Sequence, residues 1–322
     1  MDNFDFYPEK PILEEVESKG NLPLTIVSML LFILSFLMVF SEELQFIIHL
    51  VIVLVIHELG HFLMMKWFGY KDVRMMFIPL MGAFVQGRKD HYSQKQGFFV
   101  IGAGPFPGII IGSFLIILAL STKSVWMVNL GLLFLFLNVL NLVPLDPLDG
   151  GQLFKLLIRK KQDLFLLVFS LISSLILIAV GWIIQNWLLI AFGFFMGIRV
   201  RSFQRQYELR KLFREENIAY QSTYAALSNR DFAKIKAILL VQVPSLRQYL
   251  DMLNSDKADQ YLASQVNGVL LPPLNQDASR WLKVFFICCW LFVLISPILI
   301  FMFFGKSLQL NYDWYLEAIS TQ

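Results

Sequence analysis

Long apolar runs, each closed by a short polar interval, dominate the chain from residue 22 onwards. A helix needs about 20 consecutive apolar residues to cross a hydrocarbon core of roughly 30 Å. Residues 22–40 form the first such run, which stops at Ser41-Glu42-Glu43. Residues 44–68 form the second, whose ionisable residues are His49, His57, Glu58, His61 and Lys66. The third, 98–120, opens on Gly102, Gly104, Pro105, Pro107 and Gly108. The fourth, 125–143, carries Asn129, Asn138 and Asn141. Runs 164–184 and 187–198 are separated only by Gln185-Asn186, and the short second one reads as a full span or as a tilted, partly submerged helix. The last run is 284–304.

Two stretches depart from this pattern. Residues 73–88 (VRMMFIPLMGAFVQGR) alternate loosely around Pro79 and Gly82, which predicts two short strands about a turn. Residues 199–283 are polar and helix-compatible, with Arg201, Arg205, Arg210, Lys211 and Arg214 at their start and room for a helical hairpin over 219–240, broken near Ser228-Asn229. The pattern thus predicts an all-α polytopic membrane protein of about six to seven transmembrane helices, a membrane-associated β-hairpin and a small helical segment. Residues 1–21 are expected to form an acidic N-terminus, 22–198 a transmembrane core, 199–283 the helical segment, 284–304 a C-terminal transmembrane helix and 305–322 a tail.

Composition supports a lipid environment: 57% of residues are hydrophobic and 16% charged, where soluble domains carry about a quarter charged residues. The adjacent Cys288 and Cys289 read as small apolar side chains rather than as a disulfide or a metal pair. The first residues are acidic, unlike the basic start of a cleavable signal. Charge also orients the chain. Lys71, Arg74, Arg88, Lys89, Lys95, Lys155, Arg159, Lys160, Lys161 and the cluster after Ile198 fall on one side of a seven-span arrangement, against Lys123 and Lys306 on the other. Lys and Arg excess marks the cytoplasmic face, so the N-terminus and 199–283 are expected inside and the tail outside. An integral, multi-pass protein of a bacterial cell membrane is expected, with no nucleic-acid partner. The basic start of 199–283 reads as a surface lying against anionic headgroups.

The chemistry sits in the second run, at His57-Glu58-Leu59-Gly60-His61. Four residues apart on a helix, His57 and His61 lie one above the other and can share one metal ion, while Glu58 can reach the position where water binds. Zinc lowers the pKa of such a water and a glutamate takes its proton. Ionisable groups at membrane depth are costly and functional by default, and His57 lies about 15 Å from the end of its run at 1.5 Å per residue. Water must reach it along a polar path, for which Asn138, Asn141 and the backbone near Pro144 are available. Two histidines and a water leave one ligand missing. Pro144 and Pro147 force the fourth span to unwind, and Asp149 can then turn to the metal, with Gly150-Gly151 allowing a close bend. Asp149 equally suits the cap of a helix from Gly150 to Arg159, and Asp146 is a weaker candidate. His49 and His91 read as a helix–helix hydrogen-bonding group and a solvated loop residue.

HELGH in an early span, followed by NLVPLDPLDGG at the end of a later one, resembles the site-2 protease family of intramembrane zinc metalloproteases. The resemblance covers roughly residues 51–151. It implies that His57, His61 and Asp149 bind one zinc ion, that Glu58 activates water, and that Asn141, opening the NxxP element, positions the substrate or polarises the attacked carbonyl. It further implies a membrane-anchored protein or peptide substrate. Residues 102–108 (GAGPFPG) are similar to the family's glycine-proline element, although the family often has Asn where this chain has Gly108. Residues 78–87 are similar to its membrane-dipping hairpin. No stretch resembles the PDZ domain of some members, which leaves substrate selection to other segments such as 199–283. Membrane CAAX-type metalloproteases take a third ligand from a later Glu, but Glu208, Glu215, Glu216 and Glu317 all lie outside apolar runs. A non-catalytic metal transporter or metal-binding protein is the alternative from another class, and it leaves Glu58 without a purpose.

Overall fold

A computed structural model describes residues 7–13, 22–39, 44–158 and 162–311. Most of the acidic N-terminal positions, the basic residues 159–161 and the tail beyond 311 lie outside the described residues. In chain order the helices are α1 (Leu22–Val39), α2 (Leu44–Trp67), α3 (Gln94–Gly102), α4 (Pro105–Thr122), α5 (Val125–Asn141), α6 (Asp149–Leu157), α7 (Gln162–Ile183), α8 (Trp187–Glu215), α9 (Asn229–Gln242), α10 (Pro244–Asp251), α11 (Ser255–Val269) and α12 (Arg280–Asn311). Strands β1 (Lys71–Ile78) and β2 (Gly82–Arg88) pair antiparallel. Among the described residues, Leu22–Val39, Leu44–Trp67, Gln94–Ala119 and Asp163–Ile183 are long and apolar enough to cross a membrane, and Val125–Asn141 is a shorter apolar helix. The chain divides into two compact units.

The first unit holds α1–α6, the hairpin and α12. Its hairpin keeps Met75 opposite Val85 and Phe77 opposite Ala83, and turns through Leu80 and Gly82, both at positive φ. The free edge of β1 is closed by polar side chains of α1. Thr25 Oγ1 donates to the Met75 carbonyl at 2.8 Å, and Ser28 and Ser35 accept from the amides of Phe77 and Leu80 at 3.2 Å each. Among the described residues no strand pairs with the other edge of β2. Phe32, Leu50 and Phe77 form the core under the hairpin. Val53, Leu130 and Phe134 join α2 to α5, and Phe98, Leu153 and Phe286 gather α3, α6 and α12. Helices α4 and α5 approach so closely that a Cβ on Gly112 would lie 2.9 Å from the Gly131 carbonyl oxygen, and the reverse holds for Gly131. Small residues at such crossings let apolar helices pack by surface contact, the attraction left when lipid offers no hydrophobic contrast. His49, expected to hydrogen-bond between helices, instead meets the Trp126 ring edge-on, with centroids 5.0 Å apart.

The second unit holds residues 7–13 and α7–α11. Helix α8 runs unbroken from Trp187 to Glu215, so the short apolar run and the basic cluster after it are one rod. Asn186 caps it, accepting from the Leu189 amide. Ser174 Oγ donates to the Gly193 carbonyl at 2.8 Å, which fixes α7 against α8. Near the start of α7, Asp163 takes hydrogen bonds from Arg210 (2.6 Å) and Arg214 (3.1 Å). From the end of α8 onwards an apolar core forms from Leu209, Phe213, Tyr220, Tyr224, Phe232, Ile235, Leu262 and Val266. The helical hairpin expected over 219–240 is not what forms. Asn217 takes a positive φ, residues 218–228 run without helix through a bend and a turn at 224–226, and a helix begins only at Asn229, where Ser228 accepts from the Asp231 amide. Ser222, Thr223 and Ser228 favour turns and caps over helix interiors, so the apolar spacing across them gives a non-helical stretch with inward aromatics.

Candidate metal centre

Helix α2 brings His57 and His61 one turn apart, both buried, with ring centroids 4.9 Å apart. Each imidazole is oriented by its Nδ1. His57 Nδ1 lies 2.7 Å from Asn138 Oδ1, while Asn138 Nδ2 donates to the Phe134 carbonyl at 2.8 Å. The amide nitrogen being committed to a carbonyl, the oxygen faces His57 and can only accept. His61 Nδ1 lies 2.8 Å from the Val100 carbonyl oxygen, another pure acceptor. Val100 is in the last turn of α3, where helix carbonyls lose their intrahelical partners. Both Nδ1 atoms therefore carry the proton, which leaves a lone pair on each Nε2.

Those two Nε2 atoms are 3.2 Å apart, and Asp149 Oδ2 stands 3.1 Å from one and 3.2 Å from the other. Asp149 Oδ2 is buried and lacks a hydrogen-bond donor among the described residues. Three electron-rich atoms at contact distance repel one another unless a positive charge, a metal ion or protons in its stead, lies among them. A tetrahedral zinc site with bonds of about 2.0–2.1 Å sets its ligand atoms about 3.3 Å apart, so His57, His61 and Asp149 fit such an ion and form a group able to hold one. Glu58, one position on from His57, is buried beside them at 5% exposure.

Asp149 reaches this point because the chain unwinds. Helix α5 ends at Asn141, residues 143–148 run without helix through Pro144 and Pro147, and α6 starts at Asp149 itself. Leu148 is the N-cap and no side chain caps the helix, so the capping role considered for Asp149 is not used. Its carboxylate instead sits at the first helical position, where the helix dipole favours negative charge. A Cβ on Gly150 would collide with the Leu142 carbonyl, and one on Gly151 with that of Leu145. The Leu142 carbonyl is held from the other side by Trp290 Nε1 of α12 at 2.5 Å. Asp146 is buried but ion-paired with Lys155, away from the cluster.

Neighbouring glycines set how closely the walls approach. A Cβ on Gly60 would strike the Ala103 carbonyl, one on Gly104 the His61 ring, and one on Gly108 the Asn138 amide. The departure at Gly108 is thus the space that Asn138 occupies. Asn141 is not part of the cluster: its Nδ2 donates to the Leu137 carbonyl of its own helix at 3.1 Å. Asn138, expected on a water path, is instead the acceptor for His57, and the sequence distinguishes it from Asn129 and Asn141 only by its depth in the apolar run. The Val100 carbonyl carried no signal.

Residues 45–128 match the sequence profile of Peptidase family M50, a stretch that contains His57, Glu58 and His61 and ends before Asp149. The chain is similar to a zinc metalloprotease of Methanocaldococcus jannaschii, 25% identical over 229 residues that cover 67% of this chain and 62% of that protein. It is also similar to the stage IV sporulation protein FB of Bacillus subtilis, 28% identical over 138 residues, 41% of this chain and 46% of that one. The chain thus spans less than two thirds of either relative's length. A solved site-2 protease from Methanocaldococcus jannaschii aligns with a TM-score of 0.43 at 24% identity, over 55% of this chain and 87% of the other.

Proposed function

We propose that this chain is a member of the site-2 protease family and an intramembrane zinc metalloprotease that hydrolyses peptide bonds of membrane-anchored protein substrates, a reading supported by its match to Peptidase family M50 and its similarity to a zinc metalloprotease. The observation that carries the reading is the convergence of two imidazole lone pairs and an undonated carboxylate oxygen beside a buried glutamate. A bound zinc ion supplies Lewis acidity that polarises a carbonyl and acidifies water. His57, His61 and Asp149 would hold it, and Asn138 and the Val100 carbonyl keep both imidazoles in the binding tautomer. Glu58 takes the proton of the attacking water at its carboxylate and passes it to the departing amide nitrogen. Asn141 is proposed as the substrate-positioning amide, for which its side chain must leave the Leu137 carbonyl. A metal transporter would have no use for an acid–base group in this position.

A transmembrane substrate hides its peptide bonds in its own helix and must unwind to be cut. The open edge of β2 suits the freed backbone by strand addition. On the same reading, the apolar first part of α8 and the C-terminal α12 add spans to the long apolar helices, for about six to seven in all. The Lys and Arg excess supports a cytoplasmic N-terminus, site mouth and segment 199–283. The test is quantitative membrane proteomics with the native chain and with Glu58→Gln. A single-pass protein should accumulate uncut with the variant; unchanged processing of every membrane protein would overturn the reading.

A further inference from the structure

Residues 7–13 are bound along the surface built by residues 220–262 as a linear peptide ligand is bound. Lys10 is the anchor. Its ammonium donates to the carbonyl oxygens of Tyr224 (2.7 Å), Ala225 (3.0 Å) and Leu227 (2.6 Å), and lies 5.2 Å from the centroid of the Tyr224 ring. Three acceptors from one turn thereby satisfy the three N–H donors of a lysine, with an aromatic face beside the charge. A planar guanidinium, with its donors in a fixed fork, does not match such a cup.

The backbone on either side of Lys10 is held as well. Asn229 Oδ1 accepts from the Lys10 amide at 3.2 Å, Tyr224 OH donates to the Pro11 carbonyl at 2.7 Å, and Gln260 Nε2 donates to the Ile12 carbonyl at 2.8 Å. The Leu13 side chain packs on the core that holds Leu227 and Val266. Ile12, by contrast, is 84% exposed and goes unread. Side chains binding main-chain groups at successive positions, with pockets for two side chains three residues apart, are the features of a peptide-reading site. A loose terminal segment needs none of them.

We propose that this surface is a peptide-recognition site that reads a lysine followed three residues later by an aliphatic side chain. Residues 10–13 are its resident ligand in cis, and a segment of the same chemistry on another protein competes with them. The inference stands apart from the peptidase reading, since it uses none of the metal-centre residues.

The test uses the full-length chain in detergent and a fluorescent peptide of residues 7–13, followed by anisotropy. The peptide should bind the Lys10→Met chain at least about tenfold more tightly than the native chain, whose own segment competes. The same peptide carrying Lys10→Met should bind at least about tenfold more weakly, and the one carrying Ile12→Ala should bind unchanged. As a second measurement on the native chain, saturating peptide should speed amide exchange of residues 7–13. Equal binding of the lysine and methionine peptides, no binding to the Lys10→Met chain, or unchanged exchange at saturation would each overturn the proposal and reduce the contact to a fixed tether.

Discussion

Helix α9 buries apolar residues alone, whereas α2 buries ionisable residues beside apolar ones. In α9 the buried positions are Phe232, Ile235 and Leu239, while Arg230, Lys236 and Gln242 face out. In α2 the buried set includes His49, His57, Glu58 and His61, and Leu44, Phe46, Ile48, Leu59, Leu63 and Trp67 are exposed. The first is the amphipathic arrangement of a helix whose surroundings are water. The second suits surroundings of lipid, in which polar groups gain by turning inward and each needs a partner. In α9 a buried residue is explained by area removed from water. In α2 the buried ionisable residues of the cluster are explained by what they bind.

That contrast can be broken by substitutions on each side, in descending order of effect. Ile235→Ala leaves a hole in a fully buried site and should destabilise the α9–α11 unit by about 2–5 kcal/mol, read by denaturant-dependent amide exchange, with zinc per chain unchanged. Asn138→Leu keeps volume in the first unit but strips His57 of its Nδ1 acceptor. Zinc affinity should fall about 10–100-fold, measured by chelator competition, while the α9–α11 unit keeps its stability. If Asn138→Leu instead left zinc affinity unchanged, α2 would obey the same packing rule as α9. Val85→Pro removes an amide from β2, and as Val85 lies opposite Met75, whose carbonyl turns away from β2 to Thr25, the loss falls on the free edge proposed for substrate. Cleavage should slow by about tenfold or less at constant zinc content; unaltered cleavage by a folded variant would remove the strand edge from the account.

The same contrast explains what the sequence made legible. Polar residues stand out against apolar runs, so His57, Glu58 and His61 were visible, as was Asp149 behind two prolines. Span ends followed the same rule: α1, α2, α5 and α7 end within a few residues of the runs that predict them. What depended on backbone was hidden. The Val100 carbonyl exists as an acceptor because the third apolar run breaks into α3 and α4 after Gly102, and that break is a consequence of glycine-proline chemistry whose partner lies on α2. Gly60, Gly104 and Gly108 act by what they lack, and their contacts come from elements distant in sequence. In the water-facing region, apolar spacing at Tyr220, Tyr224 and Leu227 resembles a helix but belongs to a stretch without helix, since spacing alone carries no information on the backbone between. The continuity of α8 was masked by a change of composition at Ile198, where the apolar stretch gives way to a basic one without any break in the helix.

We propose that His57, His61 and Asp149 hold the metal and that Glu58 serves the chemistry. Metal content of purified variants tests it most directly. About one zinc per chain should remain in the native protein, in Glu58→Gln and in Asp146→Ala, whose native carboxylate pairs with Lys155 rather than with the cluster. Asp149→Ala should lose it, because a site of three protein ligands retains little affinity with two. Full zinc in Asp149→Ala together with its loss in Asp146→Ala would contradict the account and move the third ligand to the other aspartate.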